Sequence, residues 1–199
     1  RGATVLMFAC DKGHVDVVRV LLKQKNILVN QAAGNGVTPL FFACRKGHVN
    51  VVQLLLARIE IHINQAMQGG GTPLYVACQH GHVDVVQLLL TRKEIDINQA
   101  DEVGWTPLLA ACKEGHVGVA RLLLTKKETQ INQANEDGTT PLYIASQQGH
   151  VDVVQLLLVR KEIQINQADE DGGTPLLTAC DKGRVDVVQL LLARKEIQI

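Results

Sequence analysis

The chain has 199 residues, 46% of them apolar and 20% charged, and its 20 basic side chains balance 20 acidic ones for a formal net charge of zero. Neutrality argues against nucleic acid or an anionic membrane as the main partner, and no apolar run approaches the length of a membrane span. The composition is far from the charged, apolar-poor signature of disorder, and because Phe, Tyr and Trp total only six, the core must come mainly from Val, Leu, Ile, Ala and Cys.

In chain order, Thr4-Val5-Leu6 opens a pattern that returns as Thr-Pro-Leu at Thr38, Thr72, Thr106, Thr140 and Thr174, a spacing of 34 residues. Gly-His follows in step at Gly13, Gly47, Gly81, Gly115 and Gly149, and Gly183-Arg184 closes the series. Just under six copies fit the chain, with no linker or low-complexity tract between them. The organisation is therefore one array, with units at 1–32, 33–66, 67–100, 101–134, 135–168 and 169–199. A start at Arg1 with no Met, signal peptide or lipidation motif is expected of an excised or trimmed segment.

Residues 33–66 illustrate the unit. Thr38 and Pro39 start a helix, because a Thr hydroxyl satisfies orphan amides and a first-turn Pro has no amide to lose. Gly47 ends it by taking a positive φ. A second helix is expected from Val49 to about Arg58, its Val49, Val51, Val52, Leu54, Leu55 and Leu56 covering more than one stripe, as suits a helix held between neighbours. Asn50, or Asp at 16, 84, 152 and 186, sits near that helix's N-terminus and Arg58 near its C-terminus, both favoured by the helix dipole. Ile-x-Ile-Asn-Gln-Ala and the glycine at 36, 70, 104, 138 or 172 then read as an extended arm turning back into the next Thr-Pro.

Cys10, Cys44, Cys78, Cys112 and Cys180 stand on the same 34-residue ladder, and Ser146 fills the vacant rung. An odd number of thiols at one helical position reads as small buried hydrophobes rather than a disulfide framework. A reducing, cytoplasmic compartment is expected if the chain is natural.

Through Gly-x-Thr-Pro-Leu, the Ala-Cys or Ala-Ser pair, Gly-His, Val-Asp-Val-Val-Gln-Leu-Leu-Leu and the Asn before each hairpin, the chain resembles the ankyrin repeat family over all six units. The resemblance implies an all-α solenoid of six stacked helix-turn-helix units with projecting hairpin loops, whose concave face and hairpin tips bind protein. Three departures stand out. The family's usual period is about 33 residues, and here the extra residue falls after the second helix, in Arg-Lys-Glu-Ile-x-Ile-Asn, so the helix exit should differ. The His expected after Thr-Pro-Leu is replaced by Phe41, Tyr75, Leu109, Tyr143 and Leu177. Neither end looks like a polar cap, since Leu6, Met7 and Phe8 open the stack and Val187, Val188, Leu190, Leu191 and Leu192 close it. Exposed ends of that kind invite end-to-end self-association.

A search for chemistry gives little. Cys10/His14, Cys44/His48, Cys78/His82 and Cys112/His116 have a spacing that places two metal ligands on one helical face, but the intervening Gly breaks that face. Cys78, His80 and His82 make the densest cluster, an adventitious metal site at most. A hydrolase would need a nucleophile, base and orienting group converging in a pocket, yet nearly every candidate belongs to the repeat ladder. No catalytic residue, cofactor or resident metal is expected.

Positions that vary against the constant frame carry the functional signal. In the hairpins and at the ends of the first helices these include Gln68, Gln79, His80, Glu102, Val103, Trp105, Lys113, Glu114, Glu136, Asp137, Thr139, Gln147 and Gln148. By the family resemblance they line the partner-binding face; the other reading is that they are unconstrained solvent positions. Trp105, the single Trp, is either laid flat on the adjacent hairpin or an aromatic anchor of the kind enriched at binding hot spots. Tyr75, Tyr143, Phe41 and Phe42 read as core or inter-repeat packing. The expected function is non-catalytic protein binding, by a natural fragment or an engineered array, with a purely structural, self-associating array as the alternative.

Overall fold

The computed structural model describes residues 2–199. Among them are twelve helices and no strand. The first helices of the successive units are α1 (Val5–Lys12), α3 (Pro39–Lys46), α5 (Pro73–Gln79), α7 (Pro107–Lys113), α9 (Pro141–Gln148) and α11 (Pro175–Asp181). The second helices are α2 (Val15–Leu22), α4 (Val49–Leu56), α6 (Val83–Leu89), α8 (Val117–Leu124), α10 (Val151–Leu158) and α12 (Val185–Leu192). Each pair packs on itself and on the pair before and after it, so the first helices form one row and the second helices another.

Helices this short are marginal alone and are set by their ends and their neighbours. Every first helix is capped by the Thr hydroxyl, which accepts from the amide three residues on, as in Phe41 N to Thr38 Oγ1 at 3.2 Å. The degenerate first copy works in the same way, with Met7 N donating to Thr4 Oγ1 at 3.2 Å. Gly47 takes φ 71° at the end of α3. At Gly81, where φ is 73°, a Cβ would lie 2.7 Å from the His116 ring of the next unit, so the glycine is required by its close neighbour as well as by its backbone.

The second helix stops at Leu56, two residues short of the expected Arg58. Arg58 lies beyond the helix, and instead of answering its own dipole its guanidinium donates to the Leu22 carbonyl of the preceding unit at 2.8 Å while pairing with Glu60. Arg160 does the same for Leu124 at 3.0 Å, and Arg92 for Leu56. Nor is the following segment a simple extended arm; it runs through turns held by asparagine. Asn30 donates to the Glu60 carbonyl at 2.7 Å and accepts from the His62 amide at 2.9 Å, and Asn64, Asn98, Asn132 and Asn166 repeat both bonds. One amide side chain thus satisfies a donor and an acceptor of the next unit.

The core runs the length of the stack as columns of like residues. Cys10, Cys44, Cys78 and Cys112 are buried free thiols, and Ser146 is buried among them with its hydroxyl unpartnered. Burial alone pushes the Cys10 thiol up to about 12, and the others rise for the same reason. Cys180 corrects the expectation of a uniformly buried ladder: it is exposed, because this face of each unit is covered only by the unit that follows. The ends are likewise only half apolar surface. Leu6, Met7, Val187 and Leu191 are buried within the stack, whereas Phe8 and Leu192 face out.

Candidate functional site

The candidate face is built by the hairpins and the C-terminal ends of the first helices. Each hairpin closes on itself through the main chain, as in Asp101 N to the Trp105 carbonyl at 3.0 Å and Gly104 N to the Asp101 carbonyl at 3.1 Å. Asp101 Oδ1 reinforces the turn by accepting from the amides of Val103 and Trp105. Successive tips are then tied by main-chain bonds: Gln68 N to Asn35 O at 2.9 Å, Glu102 N to Gly69 O at 3.1 Å, Glu136 N to Val103 O at 3.2 Å and Glu170 N to Asp137 O at 3.1 Å. The approach is close enough that a Cβ on Gly104 would lie 2.8 Å from the Asn135 Cα.

A second set of bonds runs beneath the tips. His48, His82, His116 and His150 each place Nε2 2.8–3.1 Å from a carbonyl of the preceding unit, those of Asp11, Arg45, Gln79 and Lys113, and Arg184 donates to Gln147 in the same position. The imidazoles of the Cys44/His48, Cys78/His82 and Cys112/His116 pairs are therefore engaged across units, while their thiols are buried in the core. Among the described residues no three His, Cys, Asp or Glu side chains are placed to hold a metal ion. His80 contacts the Val76 carbonyl through Nδ1 at 3.0 Å and stacks on His82 with ring centroids 6.0 Å apart.

The side chains on this frame divide into those the structure joins and those it leaves to solvent. Trp105 and Lys113, drawn from a hairpin and a helix end of one unit, meet with the Lys113 ammonium 4.7 Å from the indole centroid, a cation–π contact. Trp105 is half-buried and packs against the core. Val103 beside it is 50% exposed. Glu102 takes the Gly69 amide on Oε1 at 3.2 Å, Asp137 accepts from Asn135, and Thr139 is held at the hairpin base by Asn135. Gln147 and Gln148 bond only to each other through their side chains, at 3.3 Å. Gln68 reaches the Gly34 carbonyl, and Glu114, Glu136 and His80 are exposed.

Two members of the face lay outside the sequence-derived set. Phe41 is core as expected, but Tyr75 and Tyr143 are only half-buried. Burial pushes the Tyr75 hydroxyl up, and the negative charges of Asp101 and Glu114 add to it. Burial and the Asp169 carboxylate act on Tyr143 in the same way. Tyr75 thus stands within the electrostatic reach of Asp101 and Glu114 of the following unit. The available signal was alternation at the position after Thr-Pro-Leu, where hydroxyl-bearing Tyr takes turns with Phe and Leu.

No helix among the described residues is long and apolar enough to cross a membrane. Among curated proteins, none matches the chain significantly. A family profile described as ankyrin repeats in three copies does match, over residues 1–67, 59–135 and 127–199. Ankyrin repeats are in general modules of protein–protein interaction. With the paired helices, the Thr-Pro caps and the profile in register from end to end, the chain belongs to the ankyrin repeat family.

Proposed function

We propose that the chain is a non-catalytic scaffold that binds a protein partner through its concave face and hairpin tips, centred on Val103, Trp105, Lys113, Glu114 and Tyr75. The observation that carries this reading is a division of labour at the hairpins. Main-chain bonds hold the tips together; Gln68 and Glu102 add a side-chain bond to the hairpin before, while the Glu136 and Glu170 side chains make none and are released from the frame. Half-buried Trp105 with a cation over its ring, next to exposed Val103, supplies the aromatic-plus-aliphatic anchor typical of a binding hot spot. The reading applies equally to a natural fragment and to an engineered array.

The test places a photoreactive amino acid at Val103 in one variant and at Gln87, exposed on the second-helix row, in another. A partner should crosslink from position 103 and not from 87, and Trp105→Ala should weaken that complex by about 2 kcal/mol. Equal crosslinking from both positions would overturn the surface assignment.

A further inference from the structure

One exit loop departs from the repeat at a residue that joins two units. From the second unit onward that position is Arg58, Arg92, Lys126, Arg160 and Arg194, so the fourth unit alone carries lysine there. The two are not interchangeable, because a guanidinium is a planar fork that meets two acceptors at once. Arg58 donates to the Leu22 carbonyl through Nη1 at 2.8 Å and to Glu60 Oε1 through Nη2 at 2.7 Å. Arg160 repeats the pair, on Leu124 at 3.0 Å and on Glu162 through Nε at 3.1 Å. Arg92 takes Leu56 and Glu94.

In the same register the acceptors belonging to position 126 are the Leu90 carbonyl and the Glu128 carboxylate. Among the described residues the Lys126 ammonium bonds neither, and no other donor takes them. A cavity of about 270 Å³ opens at this place, and Leu90, Lys126 and Glu128 all line it. Ile95 and Ile97 give it an aliphatic wall, Ile97 buried and Ile95 half-buried. A cavity of about 220 Å³ stands at the equivalent place between the fifth and sixth units, where Arg194 and Glu196 line it and Arg194 also makes neither bond among the described residues. The recess opens where the fork is not seated.

We infer that the recess between the third and fourth units binds the guanidinium of an arginine side chain from a bound protein, which donates to the Leu90 carbonyl and the Glu128 carboxylate and lays its stem on Ile95 and Ile97. Arg58, Arg92 and Arg160 show within the same chain that this pair of acceptors takes a guanidinium. Lys93 and Lys126 bring like charge to the rim, so a bare ammonium is disfavoured and the paired bonds of the fork are what fill the site. None of these residues belongs to the hairpin face, so the inference stands or falls independently of the proposed function.

The test titrates n-butylguanidinium, an arginine side chain without its backbone, into the full isotope-labelled chain and follows amide resonances. Saturable shifts should appear at residues 90–97 and 126–128, with a Kd on the order of 1 mM. N-acetylarginine amide, blocked as an arginine is within a chain, should bind no more weakly. n-Butylammonium has the same stem and charge without the fork and should bind about fivefold more weakly, as should n-butylguanidinium to Glu128→Gln. Lys126→Met removes the competing charge and should strengthen binding, whereas Lys126→Arg seats its own fork and should abolish it. The amide spectra also check that each variant folds. Absence of saturable shifts in the millimolar range, equal binding of n-butylammonium, shifts at these residues with pentanoate instead, failure of the blocked arginine to bind, or undiminished binding to Lys126→Arg would each overturn the proposal.

Discussion

The exit loops and the hairpins are both stitched from unit to unit by hydrogen bonds, but with different atoms. In the exit loops the stitch is a side chain: Asn30, Asn64, Asn98, Asn132 and Asn166 each bond a carbonyl and an amide of the next unit, and the residue never changes. In the hairpins the stitch is main chain to main chain, and the residues whose amides make it are Gln68, Glu102, Glu136 and Glu170. The contrast separates two degrees of constraint. Where a side chain alone closes the bond its chemistry is fixed; where the backbone closes it, Gln68 and Glu102 add a side-chain bond to the hairpin before, and the Glu136 and Glu170 side chains make none and are free to serve recognition.

The comparison can be broken most severely at a hairpin position that is not free. Gly104 has φ 84° and the backbone of the next hairpin against it, so Gly104→Ala should cost about 3 kcal/mol through backbone strain and overlap, measured by denaturant unfolding. Asn98→Ala should follow at about 2 kcal/mol, since it removes both the bond to the Glu128 carbonyl and the bond from the Gln130 amide. Ser146→Cys should stabilise by about 1 kcal/mol, because it replaces a buried hydroxyl that has no partner with the residue of its column. The smallest effect belongs to pH. A hydrogen bond from Arg58 holds the Glu60 carboxyl below its usual range, Arg92 acts likewise on Glu94, and backbone bonding followed by Arg160 lowers Glu162. Carboxylates depressed in the folded state contribute stability above their unfolded pKa, and lose it as pH falls through the folded value. All three are solvent-exposed, so a thermal melt series from pH 6 to pH 3 should lose only slightly less stability for a Glu60→Gln, Glu94→Gln, Glu162→Gln variant than for the wild-type chain.

Local chemistry was legible in the sequence, and contacts between units were not. Thr38 and Pro39 announce a helix start, and Gly47 a stop, because the partner of each lies within a turn. Arg58 was misassigned to its own helix since its acceptor, Leu22, is 36 residues away, and nothing local distinguishes the two roles. The bonds of Asn30 span 30 and 32 residues and were invisible for the same reason, although the residue's regularity marked it as frame. Cys180 looks identical to Cys112 in sequence; only the position of the last unit exposes it. At the candidate site, Trp105 and Lys113 were both singled out by their variation, whereas their contact, and the influence of Asp101 and Glu114 on Tyr75, required the hairpin to be set against the helix end.

The most direct test of the account replaces Glu136 and Glu170 together with Ser and compares unfolding with that of Asn98→Ala. Two exposed side chains on main-chain stitches should together change stability by less than about 1 kcal/mol, under the cost of the single asparagine. A loss from the double variant equal to or greater than that of Asn98→Ala would show that these hairpin side chains belong to the frame, and would contradict the claim that they are free for binding.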